Sequence, residues 1–192
     1  YNAISPDDYT MFQRNEARCE LGINPDDIVL SFVCCLLSEK RKRFVEVLEA
    51  LDILGDKRIK LLCVGKCDVE ITNPNVITLG SISDRRRMSL VYSASDAFVS
   101  PSAQESFGKT VVEALYCGTP VVSTPVGIAA EIIDEGNGAL CGGTPYEIAQ
   151  AIKRVLSNKY NQTEIRQLAT EKFAPENVAK QYIALYNETL KN

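Results

Sequence analysis

Glu105 and Glu113 bracket the run Ser106-Phe107-Gly108-Lys109-Thr110, whose setting suits an anionic ligand. The stretch from Pro101 to Glu113 leads out of an apolar run, Asp96 to Ser100, into a helical pattern, Thr110 to Cys117. Where a strand's carboxyl end runs into a helix start, backbone N–H groups lack partners and their dipoles favour phosphate. Gly108 lets the chain pass close to such a ligand. Glu113 lies among Val111, Val112, Ala114 and Leu115, on a helix that is otherwise apolar. A buried carboxylate is costly unless it is hydrogen-bonded, and two adjacent sugar hydroxyls offer two donors to one carboxylate. Helical side chains lean toward the N-terminus, so Glu113 can reach a ribose joined to a phosphate at the helix start. The plainer alternative is an i, i+4 pair of Glu113 with Lys109 on a half-exposed face.

An overlapping pattern, Ala103-x4-Gly108-Lys109-Thr110, lies one residue from a P-loop, with Ala103 in place of the first Gly. Ala103 cannot freely take the backbone shape of that Gly. Glu105 and Phe107 would put a carboxylate and a ring in the phosphate cradle, and no later apolar run ends in a metal-holding Asp. Two basic runs stand elsewhere, Lys40 to Arg43 and Arg85 to Arg87, and the second reads as a solvated helix start.

The elements that must position these residues follow from apolar spacing. Ile28 to Cys35 is a continuous apolar run, as in a strand buried on both faces, and it takes in Cys34 and Cys35. Phe44, Val47, Leu48 and Leu51 share one helical face. Ile59 to Val64, with Cys63, and Val76 to Leu79 are further strands, closed by Gly65 and Gly80. Ser83 reads as the N-cap of a helix carrying Met88, Val91 and Tyr92. Pro120 to Ser123 is a strand again, and Thr144-Pro145-Tyr146-Glu147 is a capping box with Pro at the first helical position. Ile148, Ile152 and Leu156 face inward from that helix; Val178, Tyr182, Leu185 and Tyr186 mark a last helix starting near Pro175. Strands alternate with helices throughout, which predicts an α/β, Rossmann-like, doubly wound parallel sheet. Ligands of such sheets bind beyond the carboxyl ends of the strands. Residues 1–24 read as a lead-in segment and residues 25–192 as one nucleotide-binding domain.

The chain of 192 residues is 45% hydrophobic and carries a net charge of -4, so global attraction to nucleic acid is not expected. No apolar run nears the roughly 20 residues of a membrane span. Tyr1 to Asp8 is polar, without the basic start and apolar core of a signal peptide. The chain opens on Tyr1 rather than Met, as a piece of something longer would. Its seven cysteines are odd in number and lack paired C-x2-C units, so reduced cytosolic thiols are expected and a zinc site at Cys63 and Cys67 is not.

Taken together, these residues resemble the C-terminal domain of family 4 (group 1) of the retaining, GT-B-fold glycosyltransferases. Glu105-x7-Glu113 is similar to that family's E-x7-E signature. Ser95-Asp96, Ser100-Pro101-Ser102, Glu105-Ser106-Phe107-Gly108, Glu113-Ala114-Leu115, Gly118-Thr119-Pro120-Val121-Val122 and Glu131-Ile132-Ile133 keep its order and spacing. Tyr1-Asn2 resembles its interdomain Asn-Gly linker, so the likeness covers essentially the whole chain.

The resemblance implies roles. Glu105 would contact hydroxyls of the transferred sugar, and Glu113 would hold the ribose. Backbone amides from Phe107 to Thr110, with Ser106 and Lys109 in the same loop, would face the diphosphate or sugar, and Gly80, Ser81 and Ile82 would border the base. The family's phosphate clamp is an Arg-x4-Lys pair after the first strand. Here Lys42 takes the Lys place, with Lys40 second, but the Arg place falls on Leu37 or Cys35, and Arg41 or Arg43 would have to substitute. The implied function is a hexosyltransferase-like donor domain that binds a UDP- or GDP-linked sugar for retaining transfer to a glycan or lipid-linked acceptor. The setting would be polysaccharide or glycoconjugate biosynthesis, cytoplasmic or peripheral at a membrane. An N-terminal acceptor domain lies outside this chain, so the domain alone is expected to bind donor weakly and transfer nothing. Without any Asp-x-Asp, neither a metal nor another cofactor is expected. Two alternatives are a GT-B-fold sugar-nucleotide epimerase and a non-catalytic nucleotide-sugar-binding domain.

Overall fold

Apolar side chains alternate along the central strands, and the alternation builds a core on each face of one sheet. Val29, Phe98 and Val121 point to one side. Leu30, Phe32, Ala97, Val99 and Val122 point to the other. The computed structural model describes residues 1–190. Its strands are β1 (Ile28–Leu36), β2 (Ile59–Lys66), β3 (Val76–Gly80), β4 (Ala97–Ser100), β5 (Val121–Ser123) and β6 (Gly138–Leu140). Its α-helices are α1 (Arg14–Leu21), α2 (Phe44–Leu54), α3 (Arg85–Ala94), α4 (Lys109–Tyr116), α5 (Ala129–Ile132), α6 (Pro145–Ser157), α7 (Gln162–Phe173) and α8 (Pro175–Thr189). The six strands are all parallel, in the order β3-β2-β1-β4-β5-β6, the doubly wound order expected. Helices α1, α3, α4 and α7 cover the Val29 face, and α2 and α6 cover the Leu30 face.

A buried arginine ties the lead-in segment to the sheet. Arg18, 5% exposed on α1, donates to the carbonyls of Ala94, Pro25 and Asp27 and pairs with Asp96 at 2.7 Å. Asp96 also accepts the Val29 N–H, so one carboxylate sets the starts of β1 and β4 relative to each other. A buried guanidinium is tolerable only when paired and hydrogen-bonded in this way. Thus the 1–24 stretch contains a helix packed on α3, a feature its polar composition hides.

Several local expectations change. Asp84, not Ser83, caps α3, its carboxylate accepting the Arg87 N–H. Asp84 stands one residue nearer the first turn and its carboxylate suits the helix dipole. Cys35 is exposed and Cys34 only half-buried, because β1 pairs with β4 at Leu30 and Ser31 alone and then runs past its neighbour into a bulge. Cys63, in the middle of β2, is buried as expected. The last helix starts at Pro175, but only Val178 on it is buried, and Tyr182, Leu185 and Tyr186 are exposed. The capping box at Thr144 and Glu147 forms as read. Arg85 to Arg87 are exposed, with Arg86 paired to Glu20, as a solvated helix start should be.

Candidate functional site

The sheet order reverses between β1 and β4, so the loops leaving their carboxyl ends diverge and open a crevice. The loop after β1 contains a 3-10 turn, Lys40–Lys42, and the loop after β4 runs from Pro101 to Gly108. These loops are stitched across the crevice. The Ala103 N–H donates to the Arg41 carbonyl at 2.7 Å. The Arg43 guanidinium donates to the Pro101 carbonyl at 3.3 Å, and that of Arg41 reaches the Gln104 carbonyl at 3.5 Å. In the centre Lys42 Nζ meets Glu105 Oε1 at 2.6 Å, with side chains only 14% and 13% exposed. The Ser102 hydroxyl donates to the same oxygen at 2.9 Å.

Of the basic run, Lys42 is the residue that reaches the β4 loop. Arg43 sits in the left-handed region at φ 57°, closing the 3-10 turn and opening α2. A non-glycine residue there is uncommon, and Lys42 just before it reaches Glu105 of the β4 loop. Lys40 is exposed, and the Arg41 side chain, 48% exposed, pairs with Glu39. Leu37 is buried in the core at 3% exposure, and Cys35 is exposed and not a basic residue. The crevice therefore presents Lys42 centrally with Arg41 and Arg43 at its rim, and no cation from either position where the resemblance would place an arginine.

Helix α4 opens on Gly108, which stands at φ 91° with no crowding neighbour, so it is the backbone angle that asks for glycine. The first backbone bond beyond it runs from the Val111 N–H to the Gly108 carbonyl. The amides of Lys109 and Thr110 thus stand at the helix start without an intrahelical partner. Ser106 and Lys109 are exposed, and Phe107 and Thr110 half-buried.

Behind this loop lies a support that sequence reasoning missed. The Phe107 carbonyl accepts the Ile128 N–H at 2.7 Å, and the Thr124 hydroxyl donates to the Ser102 carbonyl at 2.5 Å. A Cβ on Gly127, at φ 54°, would stand 2.6 Å from the Phe107 oxygen. Thr124-Pro125-Val126-Gly127 directly after a strand was the turn signal that could have marked it.

Glu113 is half-buried on α4 and takes the hydroxyl of Tyr92 on its Oε2 at 3.0 Å. Among the described residues no ion pair joins it to Lys109, so the plainer i, i+4 alternative does not form. Burial, with the Glu113 charge beside it, holds the Tyr92 hydroxyl well above the ordinary tyrosine value, and Tyr9 shifts the same way for the same reasons. Both phenols remain protonated donors. On the opposite flank burial pushes the Cys34 thiol up to about 11, against the pull of the nearby Lys42 charge.

Gly80, Ser81 and Ile82 leave the carboxyl end of β3, on the same rim of the sheet as the β1 and β4 loops. Gly80 stands at φ 67° with open space around it, and Ile82 packs on the same core cluster as Phe107. The structure thus brings Lys42 and Glu105 into contact, holds Glu113 through Tyr92, and leaves Lys40 outside, exposed on the turn.

Residues 13–172 match the protein family described as "Glycosyl transferases group 1". Over 206 residues the chain is 28% identical to N-acetyl-alpha-D-glucosaminyl L-malate synthase of Bacillus anthracis, covering 100% of this chain and 54% of that protein. It is 30% identical over 139 residues to a GDP-mannose-dependent alpha-(1-6)-phosphatidylinositol dimannoside mannosyltransferase of Mycobacterium tuberculosis, covering 69% of this chain and 36% of that one. Among solved structures, Anabaena HepE in complex with UDP and glucose superposes with a TM-score of 0.80 at 22% identity, covering 97% of this chain and 55% of that one. Sucrose-phosphate synthase from Thermosynechococcus elongatus superposes with a TM-score of 0.79 at 24% identity, covering 99% of this chain and 52% of that one. The chain spans about half the length of the first curated relatives it matches.

Proposed function

Because the chain belongs to the group 1 glycosyl transferases, we propose that it is the donor half of a retaining enzyme and binds a UDP- or GDP-linked sugar. The observation that carries this reading is the Lys42–Glu105 pair, held nearly out of solvent at the switch point beside the open amides of α4. The amides of Lys109 and Thr110 and the Lys42 ammonium supply positive field for a diphosphate. Glu105, one oxygen already engaged by Lys42 and Ser102, faces the sugar at the end of that diphosphate. Glu113 takes the ribose hydroxyls, and Gly80 to Ile82 border the base. A diphosphate-bearing relative and neighbour, the GDP-mannose-dependent mannosyltransferase and UDP-bound HepE, support the ligand class.

Transfer breaks the bond between the anomeric carbon and the leaving phosphate oxygen, whose electron pair departs with the diphosphate, while the acceptor hydroxyl oxygen bonds to the anomeric carbon and its proton passes to the departing diphosphate. The domain contributes by stabilising that growing negative charge. The acceptor, a glycan or lipid-linked molecule, comes through an N-terminal domain, and the product enters polysaccharide or glycoconjugate biosynthesis on the cytoplasmic side. No helix among the described residues is long and apolar enough to cross a membrane.

The experiment that tests this reading is titration calorimetry of UDP- and GDP-sugars against the full-length protein. Glu113→Ala is expected to weaken the bound donor by about 1.5–3 kcal/mol, the worth of hydrogen bonds to a charged group. Circular dichroism should show the variant folded, and unchanged affinity would remove Glu113 from the ribose site. The same titration in EDTA is expected to match that in Mg2+, since helix amides and Lys42 provide the charge. Loss of most affinity in EDTA would point to a metal-bridged diphosphate instead.

A further inference from the structure

We propose that Tyr92 is a positioning residue for ribose recognition, holding the Glu113 carboxylate in the orientation that receives two adjacent hydroxyls. This inference rests on the donor-site reading above and adds to it a residue from a different helix. A glutamate side chain turns about three bonds, and a half-buried one with nothing to fix it would sample several orientations. Tyr92 removes that freedom at one oxygen, donating to Oε2 at 3.0 Å. It is itself immobilised. The residue is 0% exposed, and its ring stands edge-on to Phe98 at 5.4 Å. The Tyr92 carbonyl accepts the Thr119 hydroxyl at 2.7 Å, tying the end of α3 to the segment after α4. A carboxylate has about four lone-pair directions, so a donor from Tyr92 leaves room for a pair of sugar hydroxyls. Tyr9 stands against the same carboxylate from the lead-in segment, which is bound to α3 where the Thr10 and Phe12 N–H groups donate to the hydroxyls of Ser89 and Ser93. A binding group held within a fraction of an ångström by packed neighbours outperforms the same group left to rotate. The reverse arrangement, in which Glu113 serves only to satisfy a buried phenol, predicts a different result.

The test compares uridine and guanosine diphosphates with their 2′,3′-dideoxy counterparts on the full-length protein, by calorimetry. The readout is the ribo-to-dideoxy affinity ratio within one variant, so partial loss of folded protein cancels. Tyr92→Phe keeps the ring against Phe98 and removes only the hydroxyl. It is expected to lower affinity for the ribonucleotide roughly five- to tenfold and to leave the dideoxy affinity within about twofold. In turnover the loss should appear in KM more than in kcat. Glu113→Ala should abolish the ratio, and adding Tyr92→Phe to it should change nothing further. If Glu113→Ala abolishes the ratio while Tyr92→Phe retains it and only shifts Tm, the positioning role is overturned and the donor-site reading stands. If Glu113→Ala keeps the parental ratio, or the parent binds neither diphosphate, the donor-site reading itself fails.

Discussion

Replacing Lys42 with alanine is expected to lower turnover by about 10²–10³-fold, the usual loss when one preorganised group facing a developing charge is removed. Donor affinity should fall much less, because the leaving diphosphate carries more charge in the transition state than in the bound donor. The structure makes this a single-residue question. Lys42 is the cation held inside the crevice, at 2.6 Å from Glu105, and the position that would carry a partner arginine is filled by buried Leu37 or exposed Cys35. Glu105 offsets the Lys42 charge and orients it; in the proposed donor complex the ammonium would face the diphosphate. Lys42→Arg should restore activity only in part, since a planar fork does not place its charge where an ammonium does. Steady-state kinetics on alanine variants at Lys40, Arg41, Lys42 and Arg43 in the full-length enzyme checks the assignment. Lys40→Ala should match the parent, as that side chain stands exposed on the turn. Four parental profiles would mean that no residue of this turn clamps phosphate; absence of turnover in the parent itself would favour a domain that binds nucleotide sugar without catalysis.

Glu105→Ala is expected to cost turnover roughly 10²–10³-fold as well, through two losses at once. The transferred sugar loses a charged hydrogen-bonding partner, and the Lys42 ammonium, 14% exposed, loses the carboxylate that holds it. Its signature differs from that of Lys42→Ala. The nucleoside diphosphate alone does not reach the sugar position, so its affinity should stay within a few-fold of the parent. Affinity for the intact nucleotide sugar should fall. Calorimetry with diphosphate and sugar nucleotide in parallel separates the two, and equal losses for both ligands would move Glu105 from the sugar to the phosphate.

The sequence by itself determined the architecture and the chemistry-bearing segment. Parallel strands buried on both faces leave mostly apolar runs at Ile28, Ile59 and Ala97, and amphipathic helices leave 3.6-residue spacing between them. Glu105 and Glu113 were legible because they lie on one short strand-loop-helix unit, within nine consecutive residues. Local periodicity could not reach the short β6 or the packed α1, whose apolar content is thin and whose burial depends on neighbours far along the chain, although Ile165, Leu168, Ala169 and Phe173 keep helical spacing along α7. By resemblance Lys42 ranked first in the basic run, and the tertiary structure decided that it meets Glu105. By composition alone the four cations are equivalent, and the contact that singles out Lys42 spans 63 residues. It also decided what holds Glu113. Lys109 is the near candidate by helical spacing, yet Tyr92, 21 residues away, takes the carboxylate, because a fully buried phenol must find an acceptor whereas an exposed ammonium is already satisfied by water.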